Sequence, residues 1–211
     1  MSHQFRLRLH VSAALLAGLL ATSCSLVAKE QAAASASAEL SAIQISNFGR
    51  VNASYYRGAQ PEARDYEALA KLGVKTIINL TSDDGDPAEQ RLTEQAGMHY
   101  VQIPMTTRKA PTPAEIEQFL AIVNDEAMQP AYVHCVGGRH RTGVMTAVYR
   151  MTALGWTGDR AFKEMKEYDY GPDFLHPEFK KFVYGYRPAV MVAAAATPVA
   201  VAPGPAILAT K

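Results

Sequence analysis

The stretch from Ala131 to Leu154 constrains the fold more than any other part of the 211-residue chain. After Pro130, Ala131-Tyr132-Val133-His134 reads as a short strand, and it runs directly into Cys135-Val136-Gly137-Gly138-Arg139-His140. Arg141-Thr142-Gly143 follows, and then Val144, Val148, Met151 and Leu154 recur at helical spacing and predict a helix buried along that face. A strand, a glycine-bearing loop and a helix in immediate succession form a unit of an α/β sheet, in which ligands collect beyond the strand C-termini.

The preceding segments repeat that alternation. Residues 61–72 predict a helix with Tyr66, Leu69 and Ala70 on one face, and Gly73 stops it. Residues 74–80 (VKTIINL) are a β-branched run that ends in the turn-forming residues 81–87. A polar helix over residues 87–95, a strand over 99–103 and a helix over 114–124 with Ile116, Phe119, Leu120 and Val123 at i, i+3, i+4 and i+7 complete the run up to Pro130. Two further helices are expected near residues 157–168 and 177–186. The expected fold is α/β, a central, mostly parallel sheet flanked by helices.

The ends of the chain differ from its middle. Arg6 and Arg8 precede an apolar run from Val11 to Ala21, and then Ala21-Thr22-Ser23-Cys24-Ser25. The apolar run is too short to span a bilayer, and the order of basic, apolar and small residues is that of an export signal, assigned to residues 1–28. Small residues before Cys24 resemble a lipoprotein processing box, with ordinary cleavage nearby as the alternative, so the expected location is periplasmic, free or membrane-anchored through a lipidated Cys24. Residues 29–45 read as an Ala/Ser-rich tether, 46–187 as the folded domain and 188–211 as a disordered Ala/Val/Pro-rich tail. Residues 46–187 hold 17 Lys plus Arg and 18 Asp plus Glu. A near-neutral domain excludes a global basic field as the means of binding nucleic acid. Two cysteines in the whole chain exclude a disulfide scaffold and a cysteine-rich zinc site, and His99 and His176 accompany no ligand cluster, so no metal or cofactor is expected.

Residues 134–143 contain the pattern H-C-x5-R-T-G, and each position suits attack on a phosphoryl group. Cys135 is the nucleophile at the end of its strand. The backbone N–H groups of Val136, Gly137, Gly138, Arg139, His140 and Arg141, at a helix N-terminus, are expected to cradle a tetrahedral oxyanion. The same field lowers the thiol pKa, so a thiolate is available near neutral pH. Arg141 presents a planar fork to two phosphoryl oxygens. Thr142 sets a hydroxyl beside the sulfur, and His134 is expected to orient the loop.

This segment resembles the catalytic loop of the cysteine-dependent tyrosine and dual-specificity phosphatases, most closely the atypical dual-specificity enzymes of plants, fungi and bacteria. The resemblance covers most of residues 48–187, including Tyr56-Arg57-Gly58-Ala59-Gln60-Pro61. It implies a protein-tyrosine-phosphatase-like fold and hydrolysis of phosphomonoesters, in phosphoproteins or in inositol phosphates and pyrophosphates, through a phosphocysteine. A rhodanese-like sulfurtransferase also uses a cysteine loop, but Thr142-Gly143 at the helix start and His134 fit the phosphatases better. The alternative kept from another class is a tethered phospho-ligand binding module without catalysis.

One departure stands out. The family commonly supplies an aspartate general acid from a loop ahead of the nucleophile, and here that loop, residues 103–111, carries no carboxylate. Asp83, Asp84 and Asp86 rank first as substitutes, ahead of Asp169 and Asp173. Arg139 and His140, with Arg108 and Lys109, are expected to add positive charge at the rim. For Arg57, a structural salt bridge is the first expectation and a reach into the site the second.

Overall fold

The computed structural model describes residue 40, residues 43–82 and residues 84–188. The export signal, most of the tether, Asp83 and the tail beyond Pro188 lie outside the described residues.

Five strands form one sheet in the order β1-β2-β5-β3-β4: β1 (Gly49–Asn52), β2 (Tyr55–Ala59), β3 (Thr76–Thr81), β4 (His99–Met105) and β5 (Ala131–Cys135). Only β1 runs antiparallel, against β2; β2, β5, β3 and β4 are mutually parallel. The hairpin that makes β1 and β2 was not anticipated from the sequence, because Tyr55-Tyr56-Arg57 carries a charge in what proves to be a wholly buried strand. Helix α1 (Asp65–Lys71) starts later than Pro61, α2 spans Glu89–Gln95, α3 Pro113–Val123, α4 Arg141–Leu154, α5 Gly158–Glu167 and α6 Pro177–Gly185. Thr112 and Glu115 close a capping box at the start of α3, with Pro113 in its first turn.

Period-2 alternation sorts the strand residues between two cores. Tyr55, Ile78, Leu80, Val133 and Cys135 face a larger core with Phe119 of α3, Val144 and Met151 of α4, Met165 of α5 and Phe179 of α6. Tyr56, Ile77 and Tyr132 face the opposite side, with Tyr66 and Leu69 of α1. Leu40, Ile43 and Ile45 pack there too, so packed structure begins before residue 46. The sheet is therefore covered on both faces, which is why β2, β3 and β5 are buried at every position.

Helix α4 is buried all round through its first turns rather than along a single face, because it lies between the sheet and the other helices of the larger core. Leu154, expected to be buried, is 47% exposed. The chain turns away at Gly155, in the left-handed region at φ 64°, and Trp156, packed against Arg150 and Arg160, covers the core instead.

Candidate active site

The C-terminal ends of β2, β3 and β5 converge on the loop between β5 and α4. Three successive loop carbonyls are held from outside: Val136 O accepts from Gln60 N at 3.1 Å, Gly137 O from Asn47 Nδ2 at 2.8 Å, and Gly138 O from Arg57 Nη2 at 2.7 Å. The next two, of Arg139 and His140, accept from Gly143 N and Val144 N and so begin α4. In a trans peptide the N–H points opposite to the carbonyl. With five carbonyls turned away, the intervening N–H groups face the Cys135 side, and the loop is a nest for an anion at a helix N-terminus.

Gly138 makes the curvature possible. Its φ is +66°, and a Cβ there would stand 2.4 Å from the Gly58 carbonyl carbon, so loop and β2 meet backbone to backbone. Gly58 must be bare for a second reason: a Cβ would meet Tyr132 Oη at 2.2 Å, the hydroxyl that donates to Ala59 O at 2.6 Å. The early Tyr-Arg-Gly-Ala-Gln-Pro stretch is thus the floor of the catalytic loop.

Cys135 is 3% exposed. Burial pushes its thiol up, but the Thr142 hydroxyl and N–H, the Arg141 guanidinium and the Gly138 N–H outweigh burial and hold it below the ordinary thiol value. Thr142 Oγ1 is buried beside the sulfur. His134 does not touch the loop's concave side. Alternation along β5 sends it to the opposite face of the sheet, where Nε2 lies 2.6 Å from Glu89 Oε1 of α2, both residues fully buried. Glu89 in turn accepts from Asn79 Nδ2 at 2.5 Å, and Asn79 bonds Tyr100 Oη at 3.1 Å.

Arg141 directs Nη1 and Nη2 at the two carboxylate oxygens of Asp84, each at 2.7 Å, and Nη1 also reaches Met105 O at 3.2 Å. Of the carboxylates ranked as substitutes for the general acid, Asp84 therefore enters the site. The hydrogen bonds from Arg141 hold its pKa below the usual carboxylate value, so in this arrangement it is an ionised partner of the arginine and no proton donor. Asp86 accepts from Ala88 N as a turn residue at the start of α2, and Asp173 bridges Lys166 and Lys180. A cleft of about 330 Å³ opens at Arg141, lined by Ser82, Asp84, Thr106, Thr107 and Arg108.

Two expectations about cations change. His140 is half-buried, donates Nε2 to Tyr170 O at 3.0 Å and lies 3.7 Å, ring to ring, from His176. Burial and His176 push its pKa down to about 4, so it adds no charge to the rim at neutral pH. Arg57 forms no salt bridge with any described carboxylate; it is fully buried beneath the loop. His176, given no role from the sequence, ties His140 to the opposite loop by bonding Thr107 O at 3.1 Å. Asn47, at φ 55°, was also missed; asparagine's tolerance of that conformation was the available signal.

A thiol at the centre of an anion nest, faced by a forked arginine and seated on a mostly parallel sheet, defines the protein-tyrosine-phosphatase-like architecture. The chain belongs to the family described as DSP-PTPase phosphatase fused to NAD+ kinase, whose model matches residues 33–175. It is 30% identical over 127 residues to the dual specificity protein phosphatase TpbA of Pseudomonas aeruginosa, a match that covers 60% of this chain and only 56% of that protein. The inositol diphosphatase DSP2 of Oryza sativa is 30% identical over 108 residues, 49% of this chain and 53% of the relative. The crystal structure of P. aeruginosa TpbA superposes with a TM-score of 0.58 at 27% identity, covering 67% of this chain and 85% of that one.

Proposed function

We propose that this protein is a metal-independent phosphatase that works through a phosphocysteine. The carrying observation is the nest of residues 136–141, with Cys135 at its base and Arg141 at its mouth. In the first step the Cys135 thiolate attacks phosphorus, the P–S bond forms, and the P–O bond to the leaving group breaks, the leaving oxygen taking the electron pair. In the second, water attacks the phosphocysteine, the P–S bond breaks and the thiolate returns, with Thr142 Oγ donating a hydrogen bond to it. The nest and Arg141, once released from Asp84, stabilise both transition states. Turnover of p-nitrophenyl phosphate by the wild type and its loss in Cys135→Ser tests this reading; binding of phosphate with no turnover by either would favour a phospho-ligand binding module.

The absence of a carboxylate from residues 103–111 favours substrates whose leaving group needs little protonation. General acid catalysis typically contributes about 10²–10⁴-fold, most for a basic phenolate and least for a phosphate, whose second pKa is about 6. Phosphoanhydrides and polyphosphorylated molecules are the substrates this chemistry suits. A relative named as an inositol diphosphatase supports that reading, while a TpbA variant solved with phosphotyrosine supports the other substrate class. Rates on a phosphotyrosine peptide and on an inositol pyrophosphate discriminate, and a strong preference for the peptide would refute the anhydride preference. The order of residues at the N-terminus supports export, with a membrane tether through Cys24; mass analysis of the mature protein for an N-terminal lipidated cysteine tests it.

A further inference from the structure

We infer that Arg57 is a positioning residue for Cys135: it fixes the Gly138 peptide of the catalytic loop and supplies a second positive charge on the thiol's own face of the sheet. The inference rests on Cys135 acting as a thiolate. Strand register places the two residues. Arg57 pairs with Val133 and Ala59 with Cys135, and Tyr55, Val133 and Cys135 belong to one face. Alternation puts Arg57 on that face too, one strand over and one step along from the sulfur.

The surroundings of Arg57 leave its charge unusually poorly matched. It is fully buried; Nη2 is spent on Gly138 O, while Nε and Nη1 meet no acceptor among the described residues. The Tyr168 ring lies over the guanidinium at 3.8 Å, and Gly49 permits this, since a Cβ there would stand 2.0 Å from Tyr168 Oη. The nearby carboxylate, Glu164, is already engaged by Arg150 at 2.6 Å. A buried charge is costly unless a counter-charge faces it. Burial pushes the Arg57 pKa down, and Tyr55, Tyr168, Glu164 and Cys135 act against that. Of these the Cys135 thiolate is the negative group that the proposed reaction requires, and what it does for the guanidinium the guanidinium does for it. The other titratable and charged groups around the sulfur are Arg141, itself neutralised by Asp84, and, across the sheet, His134 with Glu89.

The test separates charge from hydrogen bonding in the full-length protein. Arg57→Gln keeps a donor for Gly138 O without the charge; Arg57→Lys keeps the charge without the fork. Alkylation of Cys135 by iodoacetamide, read on its own peptide by mass, reports the thiolate fraction independently of turnover. Arg57→Gln is expected to slow alkylation about five- to tenfold at pH 6 and to leave it unchanged at pH 9, whereas Arg57→Lys stays within about twofold of wild type. Wild-type rates in Arg57→Gln at pH 6 would overturn the inference, as would an equal slowing in Arg57→Lys. If Arg57→Gln does not fold, Arg57→Lys decides alone: near-wild-type alkylation supports the inference and a tenfold slowing overturns it. A wild type that is alkylated in this pattern yet hydrolyses no phosphomonoester would defeat the phosphatase reading and leave the role of Arg57 standing.

Discussion

Asp84 and Arg141 form a two-pronged ion pair in which the arginine that would grip a phosphoryl group is held by a carboxylate. The aspartate is 47% exposed and the arginine 4%, so one partner is screened by solvent and can be displaced. Phosphate must compete with Asp84 for the same fork. A half-exposed pair contributes roughly 0.2–1 kcal/mol, which sets the scale of that competition. Asp84→Asn is therefore expected to tighten inhibition by inorganic phosphate about two- to fivefold. Titrating phosphate against p-nitrophenyl phosphate turnover measures it, and weaker inhibition in the variant would mean that Asp84 orients Arg141 instead of masking it.

Gly138 has no room for a side chain. A Cβ at this position combines a left-handed φ of +66° with contacts of 2.4 and 2.5 Å to the Gly58 carbonyl. Gly138→Ala should lose about 2–4 kcal/mol of stability and most of its turnover, as urea unfolding and a p-nitrophenyl phosphate assay would show. Gly137, whose Cβ would come no nearer to any described atom than 3.5 Å, from the flexible Arg139 side chain, should tolerate alanine with a stability change of about 1 kcal/mol or less.

The half-buried histidine pair gives stability a defined response to acid. His140 has a folded pKa of about 4 against about 6.5 in an unfolded chain. Between those values the unfolded chain binds a proton that the folded chain does not, so stability rises with pH through this window and is lost as pH falls through it. The facing groups, His176, Arg139 and Arg141, all disfavour that proton at neutral or lower pH, while Tyr170 O favours it. The thermal midpoint should fall from pH 7 to pH 4.5 in the wild type, and less in His140→Asn; parallel melting curves of the two proteins across that range would count against the assignment.

Among the described residues, the rim cations enter no salt bridge. Arg139, Arg108 and Lys109 are exposed, and Arg108 lines the cleft at Arg141. Arg139→Ala should raise KM for a polyphosphorylated substrate about three- to tenfold while changing KM for p-nitrophenyl phosphate less than twofold. An unchanged KM for the polyphosphorylated substrate would place Arg139 outside the substrate's reach.

The cysteine, the arginine and the strand-loop-helix that carries them were legible in the sequence because they depend on residue type at fixed short spacing. Cys135, the two glycines and Arg141 lie within seven consecutive positions, and the chain can hardly place them apart. Helix α3 was legible for the same reason, since its apolar period is local. Leu154 was misjudged because periodicity continues to the end of α4 while the neighbours that would cover it do not.

What only the tertiary structure decided are relationships across long sequence separations. Arg57 reaches Gly138 over 81 positions, Asp84 meets Arg141 over 57, and His176 bonds Thr107 over 69. Each depends on strand order and on which face a residue occupies. Register placed Arg57 under the loop rather than in a salt bridge, and alternation along β5 sent His134 to Glu89 rather than to the loop it precedes. Charge state followed from the same placement. His140 looks like a rim cation in the sequence and is neutral in the fold, because burial and a second histidine, neither visible in the order of residues, set its pKa.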